Sequence, residues 1–205
     1  MGSNDKGKNG VIKMITALVA VGIFSGMTLV FIYNYSIPKI KVNVGAATDR
    51  AIRDIFPAAD KVENAGMEDV YKASGADGEF LGYAFLAEGN GYQGVIQLIV
   101  GVNPDLTNLL GMEVLESQET PGLGAEIAGS GFKGQFNGLP ITHAIEYVKN
   151  RKPQEPYQIE AITGATISSR AVVNILNKRI EEIRGILGTG QNGSDLARRN
   201  STDAI

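Results

Sequence analysis

The residues best suited to chemistry lie in the run Thr163–Ser169, which has the sequence TGATISS and precedes a long amphipathic segment. The run places hydroxyl side chains beside a glycine and an alanine at a predicted helix start. Backbone N–H groups at a helix start lack intrahelical partners and favour anions. A hydroxyl in this position, above all that of Thr166, can carry a phosphate or a cofactor that ends in one. The alternative is purely structural: Ser168 or Ser169 caps the final helix and the glycine forms a turn.

A second segment with binding potential is the loop Glu119–Gly124, which has the sequence ETPGLG. Pro121 and the two glycines predict a tight loop whose backbone can approach a planar ligand closely. The Thr120 hydroxyl and exposed N–H groups of the loop could then hydrogen-bond the polar edge of that ligand. Taken alone, an ordinary connection between two elements explains the same residues.

Composition excludes several kinds of redox centre. The 205-residue sequence has no cysteine and a single histidine. It therefore cannot supply a cysteine-ligated iron–sulfur cluster, a zinc–thiolate site, a c-type haem or a multi-histidine metal centre. Any redox chemistry requires an organic cofactor. We predict neither a metal site nor a catalytic residue, and a net charge of −3 offers no basic surface for nucleic acid.

The N-terminal part of the chain predicts a membrane helix. After a short segment at 1–10, residues 11–35 are apolar apart from Lys13 and a few small polar residues. This length matches the roughly 20 residues that cross a hydrocarbon core of about 30 Å. A secretory signal peptide is the alternative, although its apolar region has only about 7–15 residues. Positive residues flank the span almost equally, so charge alone does not decide its orientation.

The rest of the sequence predicts one α+β domain at 36–187, followed by a Gly/Asn/Ser-rich tail at 188–205 whose composition is typical of disorder. A helix is predicted at 46–55, before Pro57. Turn signals separate three strand-like segments, at 80–86, 94–102 and 111–115.

The second half of this domain predicts two helices. Pro140 opens the first, in which Ile141, Ala144, Ile145 and Val148 keep helical spacing. An extended piece at 157–162 leads through the Thr163–Ser169 run into the second. That last helix has an apolar stripe of residues spaced by three and four: Val173, Leu176, Ile180, Ile183 and Leu187.

Both binding segments resemble one known family. Residues Glu160–Thr166, EAITGAT, resemble the flavinylation motif of FMN-binding domains, in which an acidic residue precedes Ser/Thr-Gly-Ala-Thr. The ETPGLG loop resembles a segment of the same family that packs around the flavin ring. The resemblance implies FMN joined through a phosphoester to Thr166, a bond made by a separate flavin transferase that uses FAD and magnesium. Glu160 stands where the family usually has aspartate.

The resemblance also implies roles for neighbouring residues. Recognition by the transferase falls to Glu160, Gly164 and Ala165. The implied contacts with FMN are Glu119, Thr120, Gly122, Leu123, Gly124, Thr163, Gly164, Ala165, Ile167 and Ser168. Three aromatic residues close to glycines, Tyr92, Phe132 and Phe136, either cover the flavin or belong to the core.

One anchor followed by one compact domain is most similar, within this family, to the G subunits of Rnf-type ferredoxin:NAD oxidoreductases. The resemblance implies an electron-transfer subunit with no independent catalysis, in a bacterial cytoplasmic (inner) membrane with its domain on the extracytoplasmic side. Its implied partners are multi-spanning, flavin and iron–sulfur subunits. Two alternatives stay open. One is an anchored FMN domain of another electron-transfer system, such as a sodium-pumping NADH:quinone oxidoreductase or extracellular respiration. The other is a cofactor-free, membrane-tethered interaction module.

Overall fold

The computed structural model describes the backbone of residues 4–202 and the side chains of residues 12–35 and 45–187. The chain divides into two compact units, Met1–Ala46 and Ala47–Ile205. The first helix, α1, spans Asn4–Ile55 and contributes residues to both units.

The first unit contains an exposed apolar helix. Its segment Ile12–Tyr35 has 24 residues and a mean hydropathy of 2.3, and none of it is buried. By length and composition this segment can cross a membrane. The N-terminal apolar helix expected from the sequence is therefore confirmed.

The second unit is built on a five-stranded antiparallel sheet in which neighbouring strands follow one another along the chain. The strands are β1 (Lys61–Met67), β2 (Val70–Ser74), β3 (Phe80–Asn90), β4 (Val95–Val102) and β5 (Leu109–Ser117). The three predicted strands are confirmed as β3, β4 and β5, each in antiparallel register with its neighbour.

Both faces of the sheet are covered, which explains the nearly unbroken apolar sequence of β4. Leu98 and Val100 belong to the larger core, which includes residues of the C-terminal helix. Ile99 points to the opposite face, where it joins a smaller core with Ile52 of α1 and with Phe56. Successive side chains of a strand alternate between faces, so a strand buried on both sides needs apolar residues at almost every position.

The hairpin of β1 and β2 was not predicted from the sequence. Strand β1 is the edge of the sheet and has no buried residue, and its sequence, KVENAGM, mixes polar and apolar residues without strict alternation. An exposed edge strand lacks the apolar alternation by which a strand is recognised in a sequence. Here the pairing with β2, in which Glu63 lies opposite Lys72, defines the strand.

The helix predicted to start at Pro140 is wrong. Residues 141–145 form irregular backbone with a bend at 142–143, and they lead into a short strand, β6 (Glu146–Val148). Ile141, Ile145 and Val148 are buried as their spacing suggested, whereas Ala144 is exposed. The Asn177 side chain accepts from the Ile145 N–H and donates to its carbonyl, each at 2.8 Å. Side-chain partners thus replace the backbone bonds that a helix would have supplied.

The remaining elements frame the binding segments. Two 3-10 turns, Gly124–Ala128 and Gly134–Phe136, flank the one-turn helix α2 (Ser130–Lys133). Strand β6 pairs in parallel with β7 (Gln158–Glu160), which precedes the TGATISS run.

The last helix, α3, spans Thr166–Thr202 and buries its predicted stripe, from Val173 through Ile183, in the larger core. Its backbone is helical beyond 188, where the composition predicted disorder. Side chains after Leu187 lie outside the described residues, and the separation of 188–205 from the domain stays a prediction.

Phe132 and Phe136 belong to the core, so the structure decides the alternative left open for them. The exposed fraction is 4% for Phe132 and 0% for Phe136, and their rings meet edge to face with centroids 5.4 Å apart. Neither residue lines the pocket described below.

We expect Phe136→Ala to lower the free energy of unfolding by about 3–5 kcal/mol, the usual cost of emptying a buried aromatic site. Tyr92→Ala is the matched control, because the Tyr92 side chain is 64% exposed and its loss should cost less than about 0.5 kcal/mol. Urea unfolding of the full chain in detergent, followed by far-ultraviolet circular dichroism, measures both. Equal losses for the two variants would contradict the assignment of Phe136 to the core.

Candidate functional site

A pocket of about 560 Å³ lies where four segments of the second unit meet. The loop after β3 contributes Tyr92, and the ETPGLG loop after β5 contributes four residues. Lys149 and Asn150 come from the turn after β6, and Thr163–Ser168 form the remaining wall at the start of α3. The two segments singled out from the sequence are thus adjacent in space.

Two of the four hydroxyls in the TGATISS run have structural partners. The Ser168 hydroxyl donates to Glu119 Oε2 at 2.7 Å. The Ser169 hydroxyl donates to the Ala165 carbonyl and accepts from the Ile162 N–H, each at 3.0 Å. Helix α3 begins at Thr166, so both serines lie within its first turn and neither is its N-terminal cap. The alternative that Ser168 or Ser169 caps the final helix is therefore wrong, although both hydroxyls do have structural roles.

The other two hydroxyls, those of Thr163 and Thr166, have no hydrogen-bond partner among the side chains and backbone that the structure describes. Both residues line the pocket. Thr163 is exposed, whereas Thr166 is half-buried and is the first residue of α3. The N–H groups of a first helical turn have no intrahelical partners, so the Thr166 hydroxyl lies beside backbone donors suited to an anion.

Glu119 is the buried carboxylate of the site, with an exposed fraction of 5%. Its Oε1 accepts from the N–H groups of Tyr92 and Gln93 at 2.6 and 3.1 Å. Its Oε2 accepts from Ser168. Glu119 thereby joins the loop after β3 to the start of α3 from its own position in the ETPGLG loop.

Two glycines are required by the geometry of the pocket wall. Gly164 has a φ of +84°, a left-handed backbone conformation that residues other than glycine rarely adopt. At Gly124, a Cβ atom would lie 2.6 Å from the Ser168 hydroxyl and 2.9 Å from the Glu119 Cβ. A larger residue at either position would alter the wall that carries Thr166.

Three exposed apolar side chains rim the pocket. Tyr92 is 64% exposed, and Leu123 and Ile167 are each 47% exposed. Large apolar side chains that remain open to water around one cavity mark a surface that a ligand or partner covers. Tyr92 is therefore placed to contact a bound ligand.

The structure adds two residues to the site that sequence reasoning missed. Lys149 and Asn150 line the pocket, and Asn150 has a φ of +53° in the turn after β6. No local signal marks them, because they approach the site only through the β6–β7 pairing. Arg170, a cation four residues after Thr166, is exposed and does not line the pocket.

The predicted contact residues fall into two groups. The pocket is lined by Glu119, Thr120, Leu123, Gly124, Thr163, Gly164, Ala165, Thr166, Ile167 and Ser168. Gly122, a predicted contact with FMN, is not part of the lining, and neither is Glu160, which was predicted for transferase recognition and not as a contact. The backbone of Glu160 bonds the Gln135 side chain, at 2.6 Å through its N–H and 3.1 Å through its carbonyl. The role of Glu160, Gly164 and Ala165 in transferase recognition stays a prediction.

Comparison with known proteins supplies the family. Residues 91–181, which include every residue lining the pocket, match the FMN-binding domain family. Over 183 residues the chain is 31% identical to the G subunit of the ion-translocating oxidoreductase complex of Methanosarcina acetivorans, covering 84% of this chain and 94% of that protein. The chain belongs to this G-subunit family of FMN-binding-domain proteins.

Other members and a solved structure extend the comparison. The family includes the G subunit of the proton-translocating ferredoxin:NAD(+) oxidoreductase complex of Clostridium ljungdahlii, 29% identical over 91% of this chain and 98% of that protein. The crystal structure of NqrC from Shewanella oneidensis superimposes with a TM-score of 0.50. It is 22% identical, covers 59% of this chain and 65% of that chain, and supports the α+β fold alone.

We expect Gly124→Ala to lower the free energy of unfolding by about 1–3 kcal/mol, because the added methyl group overpacks the Glu119–Ser168 contact. Gly131→Ala adds the same methyl group where no atom lies within 4 Å, and should be neutral. Urea unfolding of the two full-length variants compares them directly. Indistinguishable midpoints would show that the wall tolerates a side chain at 124.

Proposed function

We propose that this chain is an electron-transfer subunit that carries FMN through a phosphoester to the Thr166 hydroxyl. Its complex would be a membrane-bound, ion-translocating ferredoxin:NAD oxidoreductase. One observation carries the proposal: within the motif that the family uses for flavin attachment, Thr166 is the half-buried hydroxyl that lines a pocket and has no partner in the described part of the chain. The names of its relatives support the redox complex.

The residues around Thr166 suit a flavin ester. An unactivated threonine hydroxyl is a weak nucleophile, in keeping with attachment by a separate transferase rather than by this chain. The first turn of α3 offers N–H groups to the phosphate, and Lys149 is the cation in the pocket lining. Tyr92, Leu123 and Ile167 offer apolar surface to the flavin ring. Bound FMN supplies one- and two-electron transfer, and the protein tunes it through charge, hydrogen bonds and burial.

The apolar helix supports a membrane location for the protein. We propose that Ile12–Tyr35 anchors the chain in the membrane and that the domain after it lies on the extracytoplasmic side. A permanently attached flavin suits that side, where a lost cofactor would not be replaced from a pool. Multi-spanning, iron–sulfur and further flavin subunits of the complex would then be the partners from which the chain receives electrons and to which it passes them.

Thr166→Ala should abolish the covalent flavin. The wild-type chain, produced with a flavin transferase, should be heavier by one FMN less one water and should fluoresce in a denaturing gel. Thr166→Ala should lose both signals. Thr120→Ala is the matched control, because it removes another half-buried hydroxyl that lines the pocket and has no partner among the described residues, but it lies outside the EAITGAT motif and should keep the adduct. A fluorescent Thr166→Ala band, or an unmodified wild type, would refute the attachment.

The topology can be tested with single cysteines, because the chain has none of its own. Ala76→Cys introduces a thiol at an exposed site in the domain, and Ser3→Cys introduces one ahead of the apolar helix. A membrane-impermeant maleimide should label Ala76→Cys in intact spheroplasts and Ser3→Cys only after lysis. The reverse pattern would place the domain in the cytoplasm.

A further inference from the structure

Glu119 is unusual among the charged side chains that the structure describes, because its carboxylate is buried and has no ion-pair partner among them. The buried polar side chains of the described residues are Thr48, Glu119, Ser168 and Ser169, of which Glu119 alone is ionisable. The salt bridges of the described residues do not include it. A buried carboxylate is costly unless hydrogen bonds replace its water, so its partners must be held firmly in place.

The three partners of Glu119 belong to segments far apart in sequence. The backbone N–H groups of Tyr92 and Gln93 precede Glu119 by 27 and 26 residues, and Ser168 follows it by 49. Each of these segments contributes to the pocket wall. The carboxylate is therefore the point at which three walls of the pocket are joined, and movement of any one wall must stretch or break a charge-assisted bond.

All three partners are donors, which is the arrangement that an ionised carboxylate needs. None of them carries a formal charge, so the negative charge of Glu119 is stabilised by dipoles and is not cancelled. Glu119 itself lines the pocket. A fixed negative charge in a partly desolvated cavity acts more strongly on a bound group than the same charge at a water-covered surface. Reduction adds electron density to a flavin, so such a charge favours the oxidised form.

We propose that Glu119 is a positioning residue that locks the pocket walls together and lowers the midpoint potential of the flavin held there. The proposal rests on the proposed function, because it takes FMN on Thr166 as the group in the pocket. It differs from the role that resemblance implies for Glu119: both carboxylate oxygens are occupied by the protein, and the residue acts on FMN through charge and through the walls it holds.

The decisive measurement is the midpoint potential of the flavinylated full chain, by spectroelectrochemical titration in detergent. Glu119→Gln keeps the size of the side chain but removes its charge, and should shift the midpoint upward. Glu116→Gln is the matched control, because it removes the same charge from an exposed position on β5, where water screens it. Its midpoint should equal that of the wild type. An unchanged midpoint in Glu119→Gln overturns the proposal, as does an equal shift in Glu116→Gln.

Ser168→Ala separates charge from general damage to the pocket. This variant removes one donor from the carboxylate and keeps its charge, so the midpoint should move downward, opposite to Glu119→Gln. If the two substitutions only loosened the site, the midpoint potentials of both variants would shift in the same direction, and that result overturns the proposal. Ser168→Ala also provides the test if Glu119→Gln fails to fold.

Amide hydrogen exchange tests the lock without any flavin. In a Thr166→Ala background, Glu119→Gln should exchange the Tyr92 and Gln93 amides roughly tenfold faster, because a neutral amide oxygen accepts these N–H groups more weakly than a carboxylate oxygen does, while Glu116→Gln leaves them unchanged. Equal exchange rates of these two amides in Glu119→Gln and its parent would overturn the proposal that Glu119 holds the pocket walls together. A wild type that carries no covalent flavin would refute the proposed function, and exchange alone would then decide the role of Glu119.

Discussion

The hydrogen-bonding requirement of one buried carboxylate constrains the loops that form the pocket of this domain. Glu119 has lost almost all contact with water, and its donors come from the loop after β3 and from the first turn of α3. A charged group that gives up water must find replacements within the protein. Because those replacements come from separate segments, the loops can close around the carboxylate in few ways. The shape of the pocket and the position of the Thr166 hydroxyl in its wall follow from the way these loops close.

The sheet supplies the rigid base on which these loops meet. Its two faces are covered by different cores, one containing residues of α3 and the other residues near the end of α1. The pocket is built from the loops after β3, β5 and β6 and from the start of α3. Loops held by a rigid scaffold commonly carry function, because their residues are free of the packing rules that govern strands. The pocket is lined largely by loop residues with polar or exposed side chains, whereas the residues of β4 are mostly apolar and buried in the two cores.

The parts of the fold that were predictable are those with strong local patterns. Strands β3, β4 and β5 and the stripe of α3 carry apolar residues at strand or helix periods, and these periods identify them without a structure. The hairpin of β1 and β2 was missed because an exposed edge strand has little hydrophobic patterning. The segment after Pro140 was mistaken for a helix because Ile141, Ile145 and Val148 are buried at helix-like spacing. Their backbone groups are instead satisfied by partners such as Asn177 and Thr107.

The sequence alone determined the family resemblance, the apolar helix and the two segments that form most of the pocket, because these depend on residue type and local order. Tertiary structure decided which hydroxyls remain available. Ser168 and Ser169 are held by partners, whereas Thr166 is unpartnered among the described residues. It also brings Lys149 to the pocket, and it places Phe136 in the core, the alternative that the sequence left open. The reason is physical: whether a polar group is free, and what lies beside it, depends on contacts between residues distant in the chain, which no local pattern records.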